Sequence, residues 1–206
     1  MVIQHLYFPS VFENCYILED DSTGEGAVID PGEGSQHALE SITGACEAQG
    51  LTLRAIYLTH GHYDHVGGVK ALRALFPDIP VYLHPGDAQR NDQLFPVGDL
   101  GPVTLWRDGD VLTLGALQVE VLHTPGHSKG SVCLKCRDRI FSGDTLFAGS
   151  CGRTDLPGGS YEEMNESLRR LAKLEGDYYV YPGHEGSTTL DAERKTNYYM
   201  KAAMEG

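Results

Sequence analysis

The side chains best able to do chemistry are crowded into one short segment of the chain. From Thr59 to His65 the sequence reads Thr-His-Gly-His-Tyr-Asp-His, so three imidazoles and one carboxylate occupy six consecutive positions. Neutral imidazole and ionised carboxylate are the usual ligands of zinc, iron and related divalent ions. Packing alone does not account for four such side chains in so short a stretch. The segment therefore predicts a metal site.

The flanking residues predict where this segment lies in the fold. The preceding Ala55-Ile-Tyr-Leu is apolar and β-prone, and the following Val66-Gly-Gly-Val-Lys-Ala-Leu is typical of the start of a helix. The cluster is therefore expected on a loop at the end of a strand, where a rigid scaffold can direct side chains into a cleft.

Three later segments repeat the same design, a strand followed by a turn in which a glycine precedes one ligand-type side chain. They are Thr-Pro-Gly-His127, Ser-Gly-Asp144 and Pro-Gly-His184. The glycine lets the backbone turn sharply, so each side chain can face a shared cleft. Each segment alone would be an ordinary turn, but together with the first cluster they supply seven candidates: His60, His62, Asp64, His65, His127, Asp144 and His184. Seven ligands are too many for one tetrahedral ion and suit two ions with a shared bridge.

Composition narrows the class of protein. The 206 residues fit one globular domain, 1–206, without sequence repeats or an evident linker. Apolar content of 41% and charged content of 22% are ordinary for a soluble fold. A formal net charge of −13 disfavours binding to nucleic acid, because an acidic surface repels phosphate.

The lack of a recognisable targeting signal and the number of cysteines favour the cytoplasm as the expected location. The first residues do not read as a signal peptide, and no apolar run approaches the roughly 20 residues that span a bilayer, so no membrane partner is expected. Five cysteines, an odd number, favour reduced thiols. Cys133 and Cys136 lie three apart on a predicted strand and should point to opposite faces, so no joint role is expected.

The remaining pattern alternates strands and helices, which favours a mixed β structure with helices on its outer faces. Strands are predicted near 2–8, 14–19, 26–30, 79–83, 103–106, 110–114, 117–123, 130–136, 139–142 and 177–181. Helices are predicted over 35–49, with Ser35 and Gly50 as caps, over 67–76, after a capping box Ser160 to Glu163, and over 190–203. A loop-rich stretch is predicted over 85–102.

The four motifs, in this order, resemble the metallo-β-lactamase superfamily over nearly the whole chain. The resemblance implies an α/β (α+β) fold, an αββα sandwich of two mixed β-sheets flanked by helices. It also implies a ligand set in which His60, His62 and His127 hold one metal, Asp64, His65 and His184 hold a second, and Asp144 bridges both. Two divalent ions are expected, zinc first, with iron or manganese as alternatives.

Within the superfamily the chain is most similar to the hydroxyacylglutathione hydrolases (glyoxalase II), especially their short single-domain relatives. Asp144 stands where zinc β-lactamases commonly have cysteine, and Gly-Arg-Thr-Asp-Leu-Pro-Gly-Gly159 resembles the glyoxalase-like branch. The resemblance implies that a metal-bridging hydroxide, oriented by Asp64, cleaves a small-molecule thioester. Glutathione dependence is left open, because full-length glyoxalase II carries an extra C-terminal helical domain that helps to bind glutathione, whereas only 22 residues follow His184 here.

Two alternatives share parts of this pattern. One is a hydrolase of lactones or other small esters that uses the same machinery. The other is an iron persulfide dioxygenase, which would use two histidines and one aspartate on a single iron. The sequence leaves the acyl group, the thiol and the oligomeric state open.

Some residues near these motifs receive smaller roles. Arg153 and Asp155 are expected to form an ion pair that shapes their loop, and Arg153 and Lys129 are candidates for contact with an anionic substrate. Cys151 is expected to be unreactive, since nothing nearby would lower its pKa. A structural or surface role is expected for His84 and His123.

Overall fold

Two six-stranded β-sheets lie face to face, with helices on the outer face of each. The computed structural model describes residues 1–88 and 100–205, and this part of the chain contains seven helices and fourteen strands. The predicted αββα sandwich of two mixed sheets is confirmed.

The first sheet has the strand order β1-β2-β3-β4-β5-β6, antiparallel from β1 to β3 and parallel from β3 to β6. Its strands are β1 (Val2–Phe8), β2 (Glu13–Asp20), β3 (Glu25–Ile29), β4 (Thr52–Tyr57), β5 (Val81–Leu83) and β6 (Thr104–Leu105). The helices of this half are α1 (Gln36–Gln49), α2 (Tyr63–Val66), α3 (Val69–Leu75) and α4 (Pro85–Ala88).

The second sheet has the order β14-β13-β10-β9-β8-β7 and is antiparallel except for the parallel pair of β10 and β13. Its strands are β7 (Val111–Leu114), β8 (Leu117–His123), β9 (Val132–Cys136), β10 (Arg139–Gly143), β13 (Tyr179–Pro182) and β14 (Thr188–Thr189). A separate hairpin joins β11 (Leu146–Phe147) to β12 (Ser150–Cys151), and the helices are α5 (Tyr161–Ala172), α6 (Leu190–Thr196) and α7 (Tyr198–Glu205).

Alternation along the buried strands explains why the sheets stack. In β2, Cys15 and Ile17 pack toward the helices of the first sheet, whereas Tyr16 and Leu18 pack toward the second sheet. Successive strand residues point to opposite faces, so a strand that is apolar at every position needs cover on both sides. In β9, Cys133 and Cys136 likewise belong to different apolar layers, which confirms that their side chains point apart.

The helix signals in the sequence were largely correct. The Ser35 side chain accepts a hydrogen bond from the Ala38 amide, and Gly50 ends α1 in the left-handed conformation. Ser160 caps α5 by accepting from the Glu163 amide. The reciprocal half of the predicted capping box is wrong, because the Glu163 carboxylate binds Lys129 instead.

Three predicted elements need correction. The helix expected over 67–76 is the shorter α3, and a separate short helix, α2, precedes it and already begins within the histidine cluster at Tyr63, where a loop was expected. The helix expected over 190–203 is interrupted at Asn197, whose extended backbone separates α6 from α7. The loop expected over 85–102 starts with the short helix α4, and positions 89–99 lie outside the described residues.

One further expectation concerns membranes. Within residues 1–88 and 100–205, no helix combines the length and the apolar character that crossing a bilayer would require.

Candidate metal centre

The predicted ligand-bearing segments meet at one edge of the sandwich. The loop after β4 carries the first cluster from the first sheet, and His62 is the N-cap residue of α2. The second sheet contributes the loops that follow β8, β10 and β13. All seven predicted side chains are brought together there, as the strand-end loops of stacked sheets allow.

Three imidazoles form what we call the first half-site: His60, His62 and His127. One ligand atom from each lies within 4.8 Å of the others, and all three side chains are buried. His62 Nδ1 is 2.7 Å from His127 Nε2. Three nitrogen donors converging in a buried pocket are the arrangement that a divalent transition-metal ion prefers.

A second group of ligands, here called the second half-site, consists of Asp64, His65 and His184. Its ligand atoms also lie within 4.8 Å of one another. His65 Nε2 is 3.3 Å from His184 Nε2, which is 3.6 Å from Asp64 Oδ2. This half-site therefore mixes one carboxylate with two imidazoles.

Asp144 lies between the two half-sites. Its Oδ1 is 3.4 Å from His65 Nε2, and its Oδ2 is 3.3 Å from His127 Nε2. One carboxylate thus reaches a ligand of each half-site with a different oxygen, which is the placement that a bridging ligand requires.

Two buried ligand atoms without hydrogen-bond partners also indicate that cations fit this site. His60 Nε2 and Asp144 Oδ1 are buried and have no hydrogen-bond partner within residues 1–88 and 100–205. Leaving a buried polar atom unpaired costs about 1–3 kcal/mol, so such atoms in a native protein call for a partner. Cations in both half-sites would satisfy these two atoms, and the residues present suit a dinuclear site.

Hydrogen bonds on the far side of the imidazoles set their tautomers. His127 Nδ1 donates to the Arg153 carbonyl at 2.8 Å, and His184 Nδ1 donates to the Phe12 carbonyl at 2.6 Å. A carbonyl can only accept, so Nδ1 carries the proton and Nε2 offers its lone pair to the site. Such outer partners orient metal-binding histidines in general.

Two buried aspartates that sequence reasoning missed hold the ligand loops in place. Asp30 accepts from His65 Nδ1 at 3.0 Å and from Thr59 through both the amide and Oγ1. The only local signal was its place in Asp-Pro-Gly directly after a strand, where it adopts φ +49°. An aspartate tolerates this left-handed conformation better than most residues do.

Asp87 is the second missed residue, and it acts on the backbone. Its carboxylate accepts from the amides of Gly61 and Gly130, both at 2.8 Å, and from Ser128 Oγ at 2.7 Å. It therefore ties the His60–His62 loop to the turn that follows His127. Nothing in the sequence around position 87 distinguishes it from an ordinary surface acid.

Glycine is required where the loops approach one another. A β-carbon at Gly183 would lie 2.5 Å from His65 Cε1 and 2.6 Å from Asp144 Oδ1. A β-carbon at Gly152 would lie 1.9 Å from the Asp144 carbonyl oxygen. Any larger residue at either position would push a ligand out of place.

Burial and charge shift the titration of the ligands in opposite directions. Burial lowers the pKa of His60 well below its usual range, which favours the neutral imidazole. Burial would also lower the pKa of His65, but the carboxylates of Asp144 and Asp30 outweigh it and raise that pKa to about 10. Only neutral imidazole binds a metal, so the proton on His65 has to leave before this residue can serve as a ligand.

Asp64 is ionised at neutral pH. Burial would raise its pKa, but the neighbouring His184 and His65 imidazoles lower it to about 2. The carboxylate faces a cleft of about 610 Å³ that also exposes His62, His127, Asp144 and His184. The site is therefore open to a small molecule.

The outer wall of the cleft comes from the β11–β12 hairpin and the loop after it, through Phe147, Ala148, Ser150, Cys151, Arg153 and Leu156. Arg153 donates two hydrogen bonds to Asp155, from Nε at 2.6 Å and Nη2 at 2.7 Å, and this confirms the predicted ion pair. Burial raises the pKa of the Cys151 thiol to about 11, which disfavours a reactive thiolate.

The other residues singled out in the sequence lie away from the ligands. Lys129 pairs with Glu163 at 2.8 Å and is not among the described residues that line the cleft. His84 and His123 stack with their ring centroids 4.0 Å apart, so each supports the other. Burial lowers the pKa of His84 to about 4.

The chain belongs to the metallo-beta-lactamase superfamily, whose family model matches residues 9–184. Among sequences, it is 36% identical to an "uncharacterized protein" of Mycobacterium tuberculosis, over 91% of this chain and 92% of that one.

Solved structures agree with this family. The "BLEG-1 B3 metallo-beta-lactamase" is 33% identical with a TM-score of 0.83, over 97% of this chain and 99% of that one. "TTHA1623 in a di-iron-bound form" is 35% identical with a TM-score of 0.80, over 95% and 99% of the two chains. "ETHE1 from Myxococcus xanthus" is 28% identical with a TM-score of 0.82, over 100% and 91%.

Proposed function

We propose that this protein is a dinuclear metal hydrolase that cleaves a thioester of a small molecule in the cytoplasm, as a glyoxalase II-like enzyme. The observation that carries the proposal is the position of Asp144, whose two oxygens lie 3.4 Å and 3.3 Å from ligands of different half-sites. A shared carboxylate is useful when two ions act together. One of these oxygens is also buried without a hydrogen-bond partner in the described part of the chain.

The residues divide the work in a way that suits hydrolysis. His60, His62 and His127 would hold one cation, Asp64, His65 and His184 the other, and Asp144 both. Two such cations supply hydroxide at neutral pH and polarise a carbonyl group. Neither a serine nor a cysteine nucleophile is then needed, which agrees with the raised pKa of Cys151.

The chain's own groups would position the reactants. The ionised Asp64 carboxylate lines the cleft, where it would accept a hydrogen bond from a water molecule or hydroxide and so orient it. Phe147 and Leu156 provide apolar surface on the cleft wall, against which an acyl chain could pack.

We favour thioesters over β-lactams as substrates because position 144 is aspartate, where zinc β-lactamases commonly have cysteine. The predicted ligand atoms are accordingly nitrogen and oxygen only. The similarity to a structure titled as a B3 metallo-beta-lactamase makes β-lactam hydrolysis the second candidate. Zinc is the proposed metal, and the di-iron-bound neighbour makes iron the first alternative to test.

The test is a substrate panel on protein with measured metal content. Protein prepared separately with Zn²⁺, Mn²⁺ and Fe²⁺ would be assayed on thioesters, lactones, β-lactams and a persulfide, with oxygen uptake followed for the last. We expect the highest kcat/KM on a thioester at about two ions per chain. Faster turnover of lactones or β-lactams would replace the proposed substrate, and full activity as an oxygen-consuming enzyme with one iron would replace the reaction class.

A further inference from the structure

The β11–β12 hairpin, which forms much of the cleft wall, is too small to be stable by itself. It has only two paired positions, Leu146 with Cys151 and Phe147 with Ser150, and it belongs to neither six-stranded sheet. Isolated two-stranded hairpins are at best marginally stable in water. Yet four of its residues line the cleft, so something outside it must hold its shape.

Two side chains from the α6–α7 region hold the hairpin from behind. Asn197 Nδ2 donates to the Ser150 carbonyl at 2.9 Å and lies 3.4 Å from the Phe147 carbonyl. The Glu193 carboxylate accepts from the Gly149 amide at 2.8 Å, at the tip of the hairpin. Together these bonds engage the backbone of both strands and of the turn between them.

The two side chains also fix each other. Asn197 Nδ2 donates to Glu193 Oε2 at 2.8 Å, and Thr188 Oγ1 donates to Glu193 Oε1 at 2.7 Å. Asn197 has no exposed surface and Glu193 is 3% exposed. A buried network in which each group has its partners is rigid, and losing one member leaves the others unpaired.

Asn197 has a second role that explains the break in the predicted helix. Its Oδ1 accepts from the amides of Tyr199 at 2.9 Å and Met200 at 3.1 Å, and so caps α7. A cap needs only this acceptor oxygen. The amide nitrogen, which a cap does not need, is directed at the hairpin and at Glu193.

We infer that Glu193 and Asn197 are positioning residues that fix the cleft wall and thereby set which substrates the enzyme accepts. Neither is among the described residues that line the cleft, so each acts through the hairpin backbone. The inference rests on the proposed function only for its kinetic consequence, because the hairpin contacts exist whatever the substrate is.

The decisive variant is Asn197→Asp, assayed at alkaline pH so that the new carboxyl group is ionised. It keeps an oxygen to cap α7 but turns the donor toward the hairpin into an acceptor that faces two carbonyls and the Glu193 carboxylate. We expect the Gly149 amide to exchange hydrogen at least about tenfold faster, while the Tyr199 and Met200 amides keep their protection. The KM for the best thioester should rise about tenfold, with kcat and metal content within about twofold of the parent protein.

Thr189→Ala is the matched control. Thr189 caps α6 by accepting from the Ala192 amide, so its loss should destabilise the same region of the fold. Within residues 1–88 and 100–205 the Thr189 side chain makes no hydrogen bond to the hairpin, so Gly149 exchange and KM should stay unchanged. Glu193→Gln, which retains an acceptor oxygen, should fall between the parent and Asn197→Asp.

Two results would overturn the inference. One is a Gly149 amide that stays protected in Asn197→Asp, since the contacts would then not hold the hairpin. The other is an exposed Gly149 with an unchanged KM, since the hairpin would then not govern substrate binding. If the parent protein cleaves no thioester, the proposed function fails, while hydrogen exchange still decides whether these residues hold the hairpin.

Discussion

The two half-sites differ in burial and in charge. The first half-site has three imidazoles, each no more than 3% exposed, and no carboxylate of its own. In the second half-site the His184 and Asp64 side chains are 22% and 21% exposed, and Asp64 adds a negative charge. An ion in the first would be held by three buried imidazoles and the shared Asp144, while an ion in the second would have two ligands that are more exposed to water in the cleft. This comparison indicates a tightly held ion beside an exchangeable one.

The supports behind the two half-sites differ as well. Asp87 supports the first half-site through backbone amides and Ser128, without touching a ligand imidazole in the described part of the chain. Asp30 directly accepts a hydrogen bond from His65 of the second half-site. The first half-site is therefore held by its loop, and the second by contact with its ligand.

Asp144→Ala is expected to have the largest effect, because this carboxylate serves both half-sites. Metal content should fall at both, and kcat should drop more than about 100-fold, beyond what loss of an outer partner causes. Elemental analysis and thioester assays on the same preparation would measure this. A variant that kept two ions and the full rate would refute the bridging role. Asp155→Ala, which removes an exposed acid that is not a predicted ligand, is the control for metal content and should keep two ions.

The second largest effect is expected from a chelator, which should remove metal from the two half-sites at different concentrations. In the parent protein we expect metal to leave in two phases, with the exposed second half-site emptying first. His184→Ala should abolish the weakly held phase, whereas His127→Ala should abolish the tightly held one. Metal content measured against chelator concentration would show this, and a single phase in the parent protein would erase the proposed difference.

Asp30→Asn and Asp87→Asn should then have contrasting effects of moderate size. Asp30→Asn should weaken metal binding at the second half-site by about 10–100-fold, because His65 loses its ionised partner. Asp87→Asn should lower the free energy of unfolding by about 1–3 kcal/mol through an unpaired amide, with metal affinity changed only a few-fold. Metal titration and denaturant unfolding would compare the two variants, and equal effects on metal affinity would contradict the contrast.

The smallest effect is expected from Asp155→Asn, at the rim of the cleft. Arg153 and Asp155 are both largely exposed, so their ion pair is weak, but it offsets the charge of a cleft-lining guanidinium. Removing the acid should raise kcat/KM by about 2–5-fold for anionic thioesters and leave neutral ones unchanged. A matched pair of charged and neutral thioesters would test this, and an equal gain for both would mean that the loop had changed shape instead.

Local sequence signals were sufficient for most of the fold and for the candidate ligands. Ser35 and Gly50 marked the ends of α1 because capping depends on a few neighbouring residues. The ligand-type residues were recognisable because glycine turns and strand ends place them in short repeated patterns. These patterns depend on local chemistry and need no knowledge of how the sheets pack.

Residues whose role depends on distant partners could not be predicted. Asp30 and Asp87 are single acids without a motif, and only the fold shows that each binds a ligand loop. Asn197 lies in a stretch with good helical spacing, and the helix breaks there because its side chain caps α7 and reaches the hairpin. Contacts made across 26 to 47 positions leave no local sequence periodicity by which to predict them.

Each half-site draws two ligands from the segment between β4 and α3, which includes α2, and its third from the other sheet, His127 in one case and His184 in the other. Neither cation can therefore gain its full coordination until both sheets have docked. His184 is synthesised long after His60, so a nascent chain on the ribosome has only an incomplete set of metal ligands. Both metal sites would therefore be complete only in the folded protein, where the bound ions would cross-link the two sheets.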